Sequence, residues 1–280
     1  MVESYSSPYF FSSLDFKEVL LQKLPFKYAE LDTIYRQTDT DFIDILNDIR
    51  FNSLDYNGLE SLNQRQNPDW LNLSSEYVVL TARNKQANEL NNYRLSELDT
   101  EEIVYEGEIR GDLKKSSLPT DIELTLKTGA RVMFIKNDLY GRWVNGSLGT
   151  VTGFKEDAVV VVLDSGKRVN VKAETWESYE NIYNEKEGEI QQKVVASFTQ
   201  LPLKLSWAIT IHKSQGQTFE KVILDLGSGA FTTGQTYVAL SRCKSLEGLV
   251  LAGKIKPNDI KTDPRINKFV EYVGRPSNRS

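Results

Sequence analysis

The segment Tyr77-Val-Val-Leu-Thr81 constrains the fold more than any other, because an unbroken apolar strand runs straight into a helix-forming stretch from Asn84 (Lys-Gln-Ala-Asn-Glu-Leu follows). A strand that is apolar on both faces belongs inside a parallel sheet, and strand, short turn, helix is the repeating unit of α/β folds. The same character returns late in the chain. Strands are expected at Ala208 to Ile211, Val222 to Leu226 and Leu249 to Ala252, and a helix over Pro264 to Val273 with Ile266, Phe269, Val270 and Val273 on one face. Near the start, Phe42, Ile45, Leu46 and Ile49 fall at i, i+3, i+4, i+7, so residues 39–51 are expected to form an amphipathic helix capped by Asp39 or Thr40.

Between these regions the pattern shortens. Val104 to Ile109, Ile122 to Leu126, Val132 to Ile135, Gly149 to Thr152 and Val159 to Leu163 each read as a short strand, and Asp164-Ser-Gly-Lys167 followed by alternating Val169 and Val171 reads as a hairpin. Close strands with glycine turns suggest a small barrel. The polar run Glu174 to Glu189 reads as a solvated linker. The expected architecture is one α/β domain, residues 1–103 plus 190–280, interrupted by a β-barrel over 104–189.

Charge and cysteine usage narrow the function. The net charge of −5 argues against holding nucleic acid by bulk positive charge, so any such contact must be local. Residues 1–102 carry 9 Lys/Arg against 18 Asp/Glu, whereas 110–142 carry 7 against 4, which makes the middle the better place to meet phosphate. The single cysteine, Cys243, excludes an intrachain disulfide, and no run of about 18 apolar residues could span a bilayer. With no basic-then-apolar leader, a cytoplasmic location is expected, nucleoid-associated if bacterial.

A phosphate-loop hydrolase needs G-x-x-x-x-G-K-[ST], and the nearest match, Gly248 to Ile255, ends in isoleucine and carries Leu-Val-Leu-Ala where an exposed loop should be. It reads as a strand and turn. Asp164 and Asp225 end apolar strands as a magnesium ligand would, but neither is followed by a second carboxylate, and both read as structural. The strongest local signal is Trp207-Ala-Ile-Thr-Ile-His-Lys-Ser-Gln-Gly-Gln-Thr218, an apolar strand that breaks into a polar, glycine-containing turn bearing the only histidine. Such turns present hydroxyls, amides and N–H groups to anions.

This segment resembles motif V of Pif-type and RecD-like superfamily-one DNA helicases, and Gly234-Gln-Thr-Tyr-Val-Ala-Leu-Ser-Arg-Cys243 resembles their motif VI. Ile34-Tyr-Arg-Gln37, Phe42-Ile and Leu46-Asn-Asp-Ile-Arg50 are similar to motif IV. Leu126 to Asn137 and Val144 to Val151 match the barrel segment. The resemblance covers nearly the whole chain and implies a RecA-like parallel-sheet domain with an inserted small β-barrel of Src-homology type, the carboxy-terminal half of the motor. The first RecA-like domain, with its phosphate loop and magnesium carboxylates, is missing from this sequence, which resembles a fragment beginning just after motif III.

The resemblance implies ATP and magnesium as cofactors of the whole enzyme, none bound by this half alone, and no metal site here. It places Arg36 and Arg242 as arginine fingers, because a forked, permanently charged donor matches the charge of a transferring phosphoryl group. Gly216 and Gln217 are nucleotide-side candidates, and Gln235 is a possible helix cap. On the DNA side it points to Thr81, Asn84, Asn145, Gly146, Thr210, His212, Lys213 and Ser214, although Thr81 and Asn84 could equally cap a helix. Lys127, Arg131, Lys136 and Arg142 add positive charge near the barrel. Both arginine fingers are expected to be exposed and loosely ordered on one open face. Single-stranded DNA and the absent RecA-like domain are the expected partners, with no membrane, in a monomer. Roles in DNA repair, recombination and telomere or replication maintenance follow from the resemblance. The competing readings are a nucleic-acid-binding scaffold in which the barrel does the work, and a stand-alone hydrolase, for which no carboxylate pair is present in a recognisable setting.

Overall fold

The computed structural model describes residues 9–13, 16, 37, 39–73, 76–114, 117–184 and 189–273. Asp39 caps the first described α-helix, α1 (Thr40–Phe51), by accepting from the Phe42 N–H, which satisfies one of the free donors of its first turn and is worth about 1 kcal/mol. Phe42, Ile45, Leu46 and Ile49 are the buried face, as their spacing requires. A second helix, α2 (Tyr56–Asn63), buries Leu62. Strand β1 (Val78–Thr81) is buried at every position and leads into α3 (Asn84–Ser96).

Strand β1 pairs in parallel with β12 (Ala208–Thr210) and β13 (Val222–Asp225), and β13 with β14 (Leu249–Leu251), in the order β12-β1-β13-β14. The sheet therefore joins residues 78–81 to segments beyond 207, so the β region between them is an insertion. Alternate residues face opposite layers: Val78, Leu80, Leu224, Leu249 and Leu251 pack on α1, while Val79, Ile223, Val250 and Ala208 pack with Ala87 of α3. The short helix α4 (Gln235–Leu240) packs Ala239 and Leu240 into the same layer as α1, and α5 (Pro264–Val273) ends the described chain with Ile266 exposed and Phe269 stacked on Phe11.

The insert contains β2 (Glu102–Glu106), β3 (Glu108–Gly111), β4 (Glu123–Lys127), β5 (Arg131–Phe134), β6 (Leu148–Lys155), β7 (Ala158–Leu163), β8 (Arg168–Val171), β9 (Glu174–Asn184) and β10 (Glu189–Gln200). An antiparallel sheet of order β11-β5-β6-β7-β8, where β11 is Leu203–Leu205, surrounds Phe134, Trp143, Val159, Val161, Leu203 and Trp207. Asp164 forms a bidentate pair with buried Arg131, tying the β7 turn to β5, which accounts for that aspartate structurally. Asp225 accepts from the Gly227 N–H and is likewise a turn residue.

Two expectations are corrected here. Val104 to Ile109 is two strands rather than one: a Cβ at Gly107 would lie 2.6 Å from Phe198, and its N–H turns to Ile122, so β2 pairs with β4 while β3 pairs with β10. The polar run from Glu174 is no linker. It forms β9, paired along its length with β10, with Trp176 stacked on Phe198 at its base and Thr175 bonded to Thr199. Residue 190, the expected boundary, consequently falls within β10, and Leu203–Leu205 adds a strand to the insert's sheet.

Candidate functional site

The carboxy-terminal ends of β1 and β12 meet in register, Thr81 beside Thr210, and the Ile211 N–H donates to the Thr81 carbonyl. Asn91 of α3 closes the free edge of β12, its Nδ2 donating to the Ala208 carbonyl and its Oδ1 accepting from the Ala208 N–H, each at 2.8 Å. An edge strand left without a neighbour is thus fixed by one side chain. Thr210, Lys213 and Asn84 then line a common cleft of about 510 Å³, and His212 is exposed on the same turn.

Thr81 and Ser214 do not join them. The Thr81 hydroxyl is buried and donates to the Arg83 carbonyl, and the fully buried Ser214 hydroxyl donates to Ile211. Both hydroxyls, expected on the DNA side, close turns of their own backbone in this structure. Nor does the Thr81 hydroxyl or the Asn84 side chain cap α3, whose N-cap, Arg83, makes no side-chain capping bond.

A second cleft of about 400 Å³ lies beyond the same turn. Gly216 (φ +81°) and Gln217 line it, together with Asn145 and Gly146 of the insert. A Cβ on Gly146 would come within 2.8 Å of the Gln217 amide, so the β5–β6 loop abuts the nucleotide-side candidates. Asn145 and Gly146, expected among the DNA residues, thus share this cleft with Gly216 and Gln217. Their loop is held by Asp138, whose carboxylate accepts from the Tyr140 and Arg142 N–H groups and from the Arg142 guanidinium; Arg142 holds that carboxyl down to about 2.

Arg242 follows α4 and is 8% exposed. Its Nε donates to the Val238 carbonyl, Nη1 to the Gln217 carbonyl and Nη2 to the Ser241 hydroxyl. The arginine, expected to be exposed, is instead buried, because main-chain carbonyls on two segments match the fork of the guanidinium. Arg36 lies outside the described residues. Gln37, next to it, is buried and donates to the carbonyls of Ser241 and Cys243, the two neighbours of Arg242. Gln235 accepts from the Phe231 N–H and so pins the turn before α4.

The residues fit the edge of a nucleotide site. Gly216 leaves open space where a Cβ would stand, and Gln217 Oε1 is a buried acceptor without a hydrogen-bond donor, both beside the Arg242 fork. Among the described residues no group of three or more His, Cys, Asp or Glu is arranged to hold a metal. No described helix is long and apolar enough to cross a membrane.

The sequence reading missed Lys204. It stands on β11, half-buried in the 510 Å³ cleft with Lys213, and burial, then the Lys213 charge, push its ammonium down to about 8, Asp121 opposing. A lysine between two leucines of a short strand gives no signal of its own.

No protein-family model matches the chain. It is 36% identical over 251 residues to the ATP-dependent DNA helicase Pif1 of Bdellovibrio bacteriovorus, covering 87% of this chain and 54% of the relative. Unliganded Pif1 from a Bacteroides species matches with a TM-score of 0.81 at 33% identity, over 98% of this chain and 62% of that one. Bacteroides Pif1 in complex with ADP-AlF3 and ssDNA matches with a TM-score of 0.72 at 33% identity, over 90% and 58%. The chain thus spans little more than half the length of these relatives. The likeness and the parallel sheet bear out a RecA-like domain carrying an inserted small β-domain.

Proposed function

This chain belongs to the Pif1-type helicase family, matching the carboxy-terminal half of its members, and from that premise we propose that it is the second motor half of an ATP-dependent DNA helicase. In this reading the parallel sheet with its helices forms the motor domain and the segment from β2 to β10 its insert, with β11 lent to the insert's sheet. Arg242 and Arg36 reach the phosphates of ATP held chiefly by a phosphate-loop domain that this sequence does not contain, and magnesium is held by that domain too. Gly216 and Gln217 border the nucleotide. Asn84, Thr210, His212 and Lys213 form part of the track for single-stranded DNA. The chain alone hydrolyses no ATP and is a monomer.

The observation that carries this reading is the bond from Arg242 Nη1 to the Gln217 carbonyl at 3.1 Å, which joins the two motif-bearing segments beside an open glycine. ATP, when bound across the two halves, supplies the phosphoryl group on which charge develops; what this chain contributes is a guanidinium already oriented by its neighbours. The test is Arg242→Lys in a whole helicase, where lysine keeps the charge and loses the fork. Hydrolysis should fall about 10³-fold while affinity for an oligonucleotide stays within about twofold, below the tenfold that 1.4 kcal/mol would give. Hydrolysis at the parental rate would make Arg242 a structural residue and overturn the assignment.

A further inference from the structure

The cleft beside Asn84 holds more chemistry than the helicase-like motifs account for. Asn84, Asn88 and Asn92 of α3 stand at i, i+4 and i+8, a single stripe with rungs about 6 Å apart along the axis, and all three line the cleft. Lys204 from β11 and Lys213 from the turn after β12 enter it from the other side. Among the described residues neither ammonium has a carboxylate within ion-pair distance; Asp121, exposed before β4, lines the same cleft and offsets their charge only in part. Two like charges turned toward each other, one of them half withdrawn from water, disfavour the charged state unless an anion joins them. A lysine kept only for packing would be more stable as an apolar residue.

Resting on the reading of this edge as a DNA track, we propose that Lys204, Asn88 and Asn92 extend it, with a backbone phosphate of the single strand seated between Lys204 and Lys213. The asparagine amides donate to the phosphate and sugar oxygens on either side. Lysines are point charges and amides both donate and accept, so the cleft grips the backbone without selecting a sequence.

The test is the affinity of the 280-residue chain for a labelled oligothymidylate, followed by anisotropy across a series of salt concentrations. Lys204→Met should weaken binding about tenfold, as expected for loss of one charged hydrogen bond. It should also reduce the slope of log affinity against log salt by about 0.7, the value for one phosphate contact on a single strand. The thermal midpoint should hold or rise, because methionine removes a half-buried charge. Unchanged affinity and slope in Lys204→Met, with binding weakened by Lys213→Ala, would overturn the inference and leave the track reading standing. Absence of salt-dependent binding by the unaltered chain would overturn both. Should Lys204→Met lower the midpoint as well as the affinity, Lys204→Arg decides: recovered affinity supports the phosphate contact, and none overturns it.

Discussion

The turn that follows Thr210 separates two cationic places that are built in opposite ways. On one side Arg242 is buried, its guanidinium bonded to Val238, Gln217 and Ser241. On the other, Lys204 and Lys213 enter a cleft of about 510 Å³ lined by amides and by Asp121, with no carboxylate within ion-pair distance among the described residues. The contrast is one of preorganisation. A guanidinium gripped by main-chain carbonyls needs little reordering to meet a developing charge, which suits a group proposed to act on a transition state. Flexible ammonium groups in an open cleft suit a ligand that must slide, since they hold charge without fixing geometry.

The largest effect expected from this contrast is on hydrolysis. In the whole helicase Arg242→Lys should cost about 10³ in rate, whereas Lys213→Ala should leave turnover at saturating DNA within about threefold and act mainly through DNA affinity, about 1 to 3 kcal/mol for a charged contact. Equal losses in maximal turnover for the two would erase the distinction between a preorganised and an adaptable cation. Next comes Gln37→Ala, which removes donors from the carbonyls on both sides of Arg242. Leaving two buried acceptors unsatisfied should destabilise the chain by about 1 to 3 kcal/mol, read as a lower urea midpoint. A midpoint equal to the parent's would show that the grip on Arg242 does not depend on this tether.

A smaller effect belongs to the open side. Lys204 is held down to about 8 by burial and by Lys213, with Asp121 opposing, so its charge is present below that pH and lost as pH rises through it. Oligonucleotide affinity should therefore decline from about pH 7 to pH 9, by up to tenfold for one charged contact. Binding itself favours the protonated form, so proton uptake should accompany it near pH 8. Lys204→Met should remove this decline; a decline of the same size in that variant would assign it elsewhere.

Legibility of the molecule followed how much each residue's role depends on its own neighbours in sequence. The helix of Phe42, Ile45, Leu46 and Ile49 and the strands at Val78, Ala208, Val222 and Leu249 were legible, since periodicity and apolar runs record burial directly. The outer β9–β10 hairpin was not: Glu177, Glu180, Gln191 and Lys193 are exposed along it, so alternation there records no buried face, and aromatic and β-branched residues such as Trp176, Tyr179, Ile182, Tyr183, Ile190 and Val194 carry the signal. The family resemblance marked Arg242 and Gly216, but not that the guanidinium turns back on its own motif, to the Val238 carbonyl and the Ser241 hydroxyl, and across 25 residues to the Gln217 carbonyl. Nor does the sequence tell where the hydroxyls of Thr81 and Ser214 bond, since a serine in a polar turn looks identical whether it faces solvent or its own backbone.

The last expectation concerns the loop that leans on the arginine side. Asp138 is almost wholly enclosed, and its carboxylate receives two backbone N–H groups and the Arg142 fork, while Arg142 also lies 4.5 Å over the Trp143 ring. These bonds shape the loop whose Asn145 and Gly146 abut Gln217, so disturbing them should reach the nucleotide side and spare the lysine cleft. Because the folded-state carboxyl is depressed to about 2, its contribution is present above the ordinary carboxylate range and is lost as pH falls toward that value. Asp138→Asn keeps the shape but removes the charge, and should lower stability at neutral pH by about 1 kcal/mol. The gap between variant and parent should close on acidification, as the parent's own carboxyl takes up a proton. Melting curves from neutral pH to about pH 2 measure this directly, and a gap that stays constant with pH would show that Arg142 is held by Trp143 and the β-sheet rather than by Asp138. Oligonucleotide affinity measured on the same variant sharpens the comparison, because any loss there would mean the two clefts are coupled through the turn and not independent.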